Sequence, residues 1–193
     1  MPDAERCAFI EQLVPADEVA FFQKKAEQKI EAEGWNGRNK KQKVENFVNC
    51  WVTEEAFKGV LIKYKAFFRH RALYVGDAAG AGVDFEVKVG GKWMGVGIRS
   101  INDDSFYRWK SVAYPEDRFL HEKEKIPDHV VVCHNEKGVV QFIGMIDKEM
   151  LLSELDKAER RKSTLNQEWF RKVPLEKFDY GKLVDFLGKL DKR

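Results

Sequence analysis

The stretch that decides the fold spans residues 82–100 and reads "GVDFEVKVGGKWMGVGIRS". Two runs of alternating residue types flank Gly90 and Gly91, a pattern typical of a β-hairpin with a tight turn. If the two glycines form the centre of that turn, Phe85 faces Val96 and one face of both strands is apolar. We therefore predict that the buried side chains of the hairpin are Val83, Phe85, Val87, Met94, Val96 and Ile98.

The opposite face of this hairpin collects charged side chains. Asp84, Glu86 and Lys88 lie on the first strand, and Arg99 lies near the end of the second. Two carboxylates at alternate positions can share a divalent cation, because oxygen ligands suit Mg²⁺ and the metal relieves their mutual repulsion. The alternative is a face that simply meets water, as in many antiparallel sheets. The pattern alone leaves both interpretations open.

The segments around the hairpin predict a sheet flanked by helices. Apolar periodicity and terminal signals indicate helices over 16–33, 42–65, 148–161 and about 179–190, and strands within 66–76 and 126–146. Asp147 is the predicted N-cap of the third helix. This order favours an α/β fold. We expect one domain overall, with an N-terminal helix and basic connector over 1–41 and an α/β core with C-terminal helices over 42–193.

The composition excludes several classes of protein. The 34 basic and 32 acidic residues among 193 give a net charge of +2, so binding to nucleic acid has to be argued from local clusters. No run approaches the roughly 18 apolar residues of a membrane span, and the first residues lack the pattern of a signal peptide. We therefore expect an intracellular, cytoplasmic protein without a membrane partner. Three distant cysteines indicate no disulfide framework, and the four histidines lack zinc-site spacing.

Two short basic segments could contact phosphates. One is "WNGRNKKQK" (35–43), for which a solvated loop is the alternative. The other is "SFYRWKS" (105–111), which interleaves aromatic and basic residues, and whose alternative is a helix that buries Phe106 and Trp109. The candidate nucleic-acid-binding residues are Arg38, Lys40, Lys41, Arg108 and Lys110.

Three segments together resemble the PD-(D/E)XK nuclease superfamily. "NFVNCWVTEEAFKGVL" (46–61) is similar to its "GExAF" helix, "GVDF" to its metal-binding strand, and "GVGIRS" to the adjacent strand that carries the (D/E)xK motif. The resemblance covers about residues 42–178. It implies a restriction-endonuclease-like α/β fold, in which a central mixed sheet contains the hairpin at 83–99 and is flanked by helices.

The resemblance also implies an activity. That activity is hydrolysis of phosphodiester bonds in DNA by a Mg²⁺- or Mn²⁺-dependent endodeoxyribonuclease, with DNA as the partner and a homodimer as an open alternative to a monomer. Metal ligands would be Asp84, Glu86 and Glu54, the last through the outer shell. Arg99 and Lys88 would contact phosphate. The implied catalytic residues are Asp84, Glu86, Arg99, Glu54 and Lys88.

The sequence departs from the motif of that superfamily at two positions. Gly97 stands at the third acidic position and Arg99 stands at the lysine, and arginine is too basic to accept a proton. Glu86 could replace the missing acid, because we expect open space beside Gly95 and Gly97. A second alignment takes Asp77 as the first acid and "EVK" (86–88) as an intact ExK.

These departures leave three hypotheses for the function. The first is an active metal-dependent nuclease. The second is a catalytically silent nuclease-like module that binds nucleic acid or a protein partner. The third is an intracellular interaction protein with a polar sheet face.

Overall fold

The computed structural model describes residues 10–33, 40–71, 83–121, 123–163 and 168–193. The protein is an α/β structure with a mixed six-stranded sheet and a smaller three-stranded sheet. The strands are β1 (Ile10–Leu13), β2 (Phe68–His70), β3 (Phe85–Val89), β4 (Lys92–Ile101), β5 (Ser111–Pro115), β6 (His129–Glu136), β7 (Val139–Asp147), β8 (Arg160–Lys162) and β9 (Trp169–Pro174). The α-helices are α1 (Ala16–Glu33), α2 (Lys40–Lys63), α3 (Glu116–His121), α4 (Lys148–Lys157) and α5 (Tyr180–Gly188).

The large sheet has the strand order β1-β7-β6-β4-β3-β2. Strands β4 and β6 are parallel, and the other neighbours are antiparallel. The small sheet has the order β5-β9-β8 and is antiparallel throughout. A central mixed sheet flanked by helices was predicted, and at this level the prediction is confirmed.

The hairpin β3-β4 has the predicted register. Phe85 pairs with Val96 and Val87 pairs with Met94. Gly90 and Gly91 have φ values of 56° and 81°, the left-handed conformation that a tight hairpin turn requires at both central positions. Phe85, Val87, Val96 and Ile98 are buried as expected, whereas Val83 and Met94 are only half-buried.

Two hydrophobic clusters hold the large sheet between two layers. Helices α1, α2 and α5 pack on one face, where Phe57 of α2 contacts Phe85 and Phe142 at ring-centroid distances of 5.3 Å and 5.9 Å. On the other face, α4 and the small sheet cover Val130, Val132 and their neighbours. The core is therefore shared between both faces of the central strands.

Several predicted boundaries change in the structure. Helix α2 begins at Lys40, inside the predicted connector, and α4 ends at Lys157 although a helix through residue 161 was predicted. The chain leaves α4 because Ala158 is extended and Arg160–Lys162 pair with β9. Strands β1, β5, β8 and β9 were not predicted.

The segment "SFYRWKS" follows neither interpretation completely. Residues 104–108 form a short π-helical turn in which Phe106 stacks on His134 at 4.4 Å, whereas Trp109 remains 48% exposed. The aromatic residues are therefore divided between packing and solvent.

None of the helices in the described ranges has the length and hydrophobicity needed to cross a bilayer.

Candidate functional site

Glu54 is a buried carboxylate in the middle of α2. Glu54 is only 6% exposed, because α1 covers one side of the helix and the large sheet covers the other. Isolated buried carboxylates are costly, so a partner is expected. That partner is His70 at the end of β2, whose Nε2 lies 3.2 Å from Glu54 Oε2. The His70 ring is itself held by stacking on Phe85 at 4.3 Å.

Asp84 lies at the end of the sheet where β3 begins. Its backbone N–H donates to the Val96 carbonyl at 3.0 Å, and its Oδ2 accepts a hydrogen bond from the Ile98 N–H at 2.7 Å. The side chain is half-buried. These contacts fix the carboxylate against β4.

The pKa values of both carboxylates are raised, chiefly by burial. Burial and, second, the negative charge of Glu54 raise the pKa of Asp84 to about 7, against the Ile98 hydrogen bond and the positive charges of Arg99 and His70. Burial also raises the pKa of Glu54, and the contact with His70 opposes this shift. Two carboxylates that resist simultaneous ionisation form a site that a cation would stabilise.

Arg99 of β4 lies near enough to Asp84 for its positive charge to lower the pKa of that carboxyl. Its guanidinium lies 4.9 Å from the centre of the Tyr114 ring on β5, a cation–π distance. No carboxylate in the described ranges forms an ion pair with Arg99, so its donors are available to a phosphate. Burial raises the pKa of Tyr114 to about 12, so the phenol beside Arg99 stays protonated and neutral.

The structure places Glu86 and Lys88 differently from Asp84. Glu86 is exposed and pairs with Arg69 at 3.4 Å, and the Arg69 guanidinium lies over Trp93. Lys88 lies four residues along β3 from Asp84, about 13 Å at strand spacing, with its Nζ over Phe67. Glu54 and Arg99 therefore both influence the charge of Asp84, whereas Glu86 and Lys88 lie farther along the hairpin.

The expected open space beside Gly95 and Gly97 is absent. A Cβ atom at Gly95 would lie 2.7 Å from Val83 Cγ2, and one at Gly97 would lie 2.8 Å from Pro127 Cγ. The prediction that Glu86 has room there to replace the missing acid is wrong, because neighbouring side chains fill the space. The glycines are explained by this close packing.

The predicted metal ligands Asp84, Glu86 and Glu54 do not form one cluster in the structure. Within the described part of the chain, no group of three or more His, Cys, Asp or Glu side chains is arranged to hold a metal ion. Of the three predicted ligands, Glu54 and Asp84 interact electrostatically. Mg²⁺ is commonly bound through one or two carboxylates together with water and substrate phosphates, so the oxygen donors of this pair fit such an ion.

The other candidate residues are spread over the surface. Lys40 and Lys41 begin α2 and lie 3.8 Å from Glu31 and 4.0 Å from Glu45, respectively. Arg108 and Lys110 flank the exposed Trp109. Arg38 and the Asp77 of the second alignment lie outside the described residues.

Sequence reasoning missed His70 and Tyr114. His70 lies in a segment predicted as a strand, but only the fold reveals that Glu54, 16 residues earlier, is its partner. Tyr114 lies on a strand that was not predicted, so nothing in the sequence connected it with Arg99. Within the described residues, the Tyr114 hydroxyl is buried without a hydrogen-bond partner.

The raised pKa of Asp84 gives a testable prediction about stability. The ordinary pKa of aspartate is near 3.8, so the folded protein holds the Asp84 proton more tightly than the unfolded chain. Ionisation in the folded state therefore costs stability, and this cost grows from about pH 4 to pH 7 and persists above. Without metal, we expect Asp84→Asn to raise the free energy of unfolding by about 2 kcal/mol at pH 8, allowing for partial exposure, and to change it little at pH 4.

Urea unfolding in EDTA at the two pH values measures this difference. Asp128→Asn is a matched control, because Asp128 Oδ2 also accepts a backbone N–H of β4, that of Gly95 at 2.7 Å, but its residue is exposed. The control should show no gain at pH 8. An effect of Asp84→Asn that is the same at both pH values would contradict the assignment of the raised pKa to Asp84.

Comparison with protein-family models, curated proteins and solved structures finds no match to this chain.

Proposed function

We propose that the protein is a Mg²⁺- or Mn²⁺-dependent nuclease that hydrolyses phosphodiester bonds in DNA, with its site at Glu54, Asp84 and Arg99. One observation carries this proposal. The charge of Glu54, buried in α2, raises the pKa of half-buried Asp84 before β3, and the charge of Arg99, which has no carboxylate partner in the described ranges, lowers it. The resemblance to the PD-(D/E)XK superfamily supports the same three positions.

Each residue has a chemical part in this proposal. Glu54 and Asp84 provide the oxygen ligands, and His70 and the Ile98 N–H orient them. Arg99, held over Tyr114, contacts the phosphate and stabilises the charge that develops on it. Because arginine cannot accept a proton, Arg99 acts by charge alone. When bound, a divalent cation would neutralise phosphate charge and make an attacking water more acidic.

The second candidate is a nuclease-like module that binds nucleic acid without cutting it. Gly97 in place of the third acid and Arg99 in place of the lysine favour this alternative. The same Arg99 would then serve only as a phosphate contact.

Incubation of the purified protein with supercoiled plasmid and with single-stranded DNA distinguishes the two candidates. Reactions contain Mg²⁺, Mn²⁺ or EDTA, and products are separated by electrophoresis. If the protein is a nuclease, we expect cleavage with at least one of the two metal ions and none in EDTA. Retarded migration of DNA without cleavage in either metal would favour the silent module.

A further inference from the structure

A pocket of about 320 Å³ opens on the outer face of the small sheet. Val112 and Val173 point from this sheet into the core, so the alternate residues, among them Ser111 and Lys172, face outward. We refer to this pocket as the basic pocket. The lining residues that matter here are Trp109, Lys110, Ser111, Arg161 and Lys172.

The basic pocket carries an excess of positive charge. Glu159 also lines it, but pairs with Arg161 at 2.9 Å. Among the described residues, no carboxylate lies within ion-pair distance of Lys110 or Lys172. Burial lowers the pKa of Lys172, and the charge of Arg161 lowers it further. A bound anion would relieve this crowding of like charges.

The lining of the basic pocket also includes an exposed aromatic side chain. The Trp109 indole is 48% exposed, and Lys172 Nζ lies 4.2 Å from its centre. Lys110 has a φ of 46°, an uncommon value for a residue other than glycine, and its carbonyl accepts the Leu175 N–H at 2.8 Å. At the base, the Ser111 hydroxyl is buried without a hydrogen-bond partner among the described residues. A lysine, an indole and a hydroxyl are thus presented together.

We propose that the basic pocket binds single-stranded nucleic acid, with one base stacked on Trp109 and the adjoining phosphate held by Lys110, Lys172 and Arg161. Every base offers a face for stacking, and the cations complement the backbone charge. A base inside a duplex is not free to stack on a side chain, which favours a single strand over a duplex. This inference rests on the proposed function only for the choice of nucleic acid as the anion.

Fluorescence anisotropy of a labelled thymidine strand of about 12 nucleotides, measured in EDTA, tests the inference without cleavage. We expect Trp109→Ala to weaken binding about tenfold, and Trp109→Phe to retain most of the affinity. We expect Lys172→Ala to weaken binding and to make the slope of log affinity against log salt shallower by about 0.7. A duplex of the same length should bind more weakly than the single strand.

Helix α1 offers matched controls in the opposite layer. Lys25 Nζ lies 5.6 Å from the centre of the exposed Phe21 ring, so Phe21→Ala and Lys25→Ala remove a similar pair from another surface. Both controls should bind as the parent does. A parent that fails to bind the strand, or that binds it equally well after Trp109→Ala and Lys172→Ala, would overturn the inference. Equal or tighter binding of the duplex would also overturn it.

The binding assay in EDTA and the cleavage assay together separate this inference from the proposed function. Binding through Trp109 and Lys172 in a parent that never cleaves DNA would support the pocket and reject the nuclease. Cleavage by the parent, together with no effect of Trp109→Ala and Lys172→Ala on binding, would support the nuclease and reject the pocket.

Discussion

Asp84→Asn is expected to reduce metal-dependent DNA cleavage by at least about 100-fold. The substitution keeps an oxygen that can accept the Ile98 N–H but removes the negative charge that the cation requires. Loss of an outer-shell partner alone commonly costs 10- to 100-fold, so loss of a charged ligand should cost more. Initial rates of plasmid nicking in saturating Mn²⁺ measure the effect.

Asp128→Asn is again the control for this experiment. It changes a carboxylate that accepts a β4 backbone N–H at the same 2.7 Å distance, but the charge of Asp128 does not contribute to the raised pKa of Asp84. We expect it to cleave at close to the parent rate. Parent-like cleavage by Asp84→Asn would remove Asp84 from the site.

Arg99→Ala is expected to lower cleavage about 10²- to 10³-fold, the usual cost of removing one group that stabilises charge in the transition state. Arg99→Lys should lose only about tenfold, because lysine keeps the charge although it gives up the two-pronged hydrogen bonding of arginine. The ratio between the two variants, measured in the same nicking assay, therefore reports whether charge is the contribution of this residue.

Arg193→Ala provides a control with similar local geometry. Its guanidinium lies 5.2 Å from the centre of the Phe68 ring, as Arg99 lies over Tyr114, but at the C-terminus. It should cleave as the parent does. Cleavage that survives Arg99→Ala undiminished would place the site elsewhere, and the alignment of Asp77 with Glu86 and Lys88 would become the better hypothesis.

The silent module predicts a different pattern for the same variants. No protein would cleave, and Arg99→Ala would weaken DNA binding and make its salt dependence shallower by about one phosphate contact. The two hypotheses are thus separated by one set of proteins.

Local rules predicted the hairpin well. The left-handed conformations of Gly90 and Gly91 and the alternation around them determine the register, and both depend on residues that are close in sequence. The long helices α1 and α2 were predicted for the same reason, since their apolar spacing is visible in the sequence.

Features that depend on distant contacts were missed. Strand β8 consists of three charged residues without alternation, and it exists because β9 pairs with it. The packing of Val83 and Pro127 against Gly95 and Gly97 was also invisible, because neither neighbour is fixed by local sequence.

The candidate site was predicted in part. The sequence singled out Glu54, Asp84 and Arg99, and in the structure the charges of Glu54 and Arg99 both influence the pKa of Asp84. The sequence could not reveal the partial burial of Asp84, because the charged face of the hairpin was compatible both with a cation site and with contact to water. The raised pKa of Asp84 depends on this burial and on the charge of Glu54, a residue 30 positions earlier in the sequence. The site therefore combines residues that a motif can suggest with an environment that only the fold provides.

Calorimetric titration with Mn²⁺ at pH 8, where Asp84 is largely ionised, tests most directly whether Glu54 and Asp84 form a cation site. We expect saturable binding to the parent protein and to Asp128→Asn, and loss of binding in Asp84→Asn and in Glu54→Gln. Circular dichroism of all four proteins establishes that they are folded. No binding of Mn²⁺ to the folded parent, or equal binding to the parent and Asp84→Asn, would contradict a cation site formed by Glu54 and Asp84.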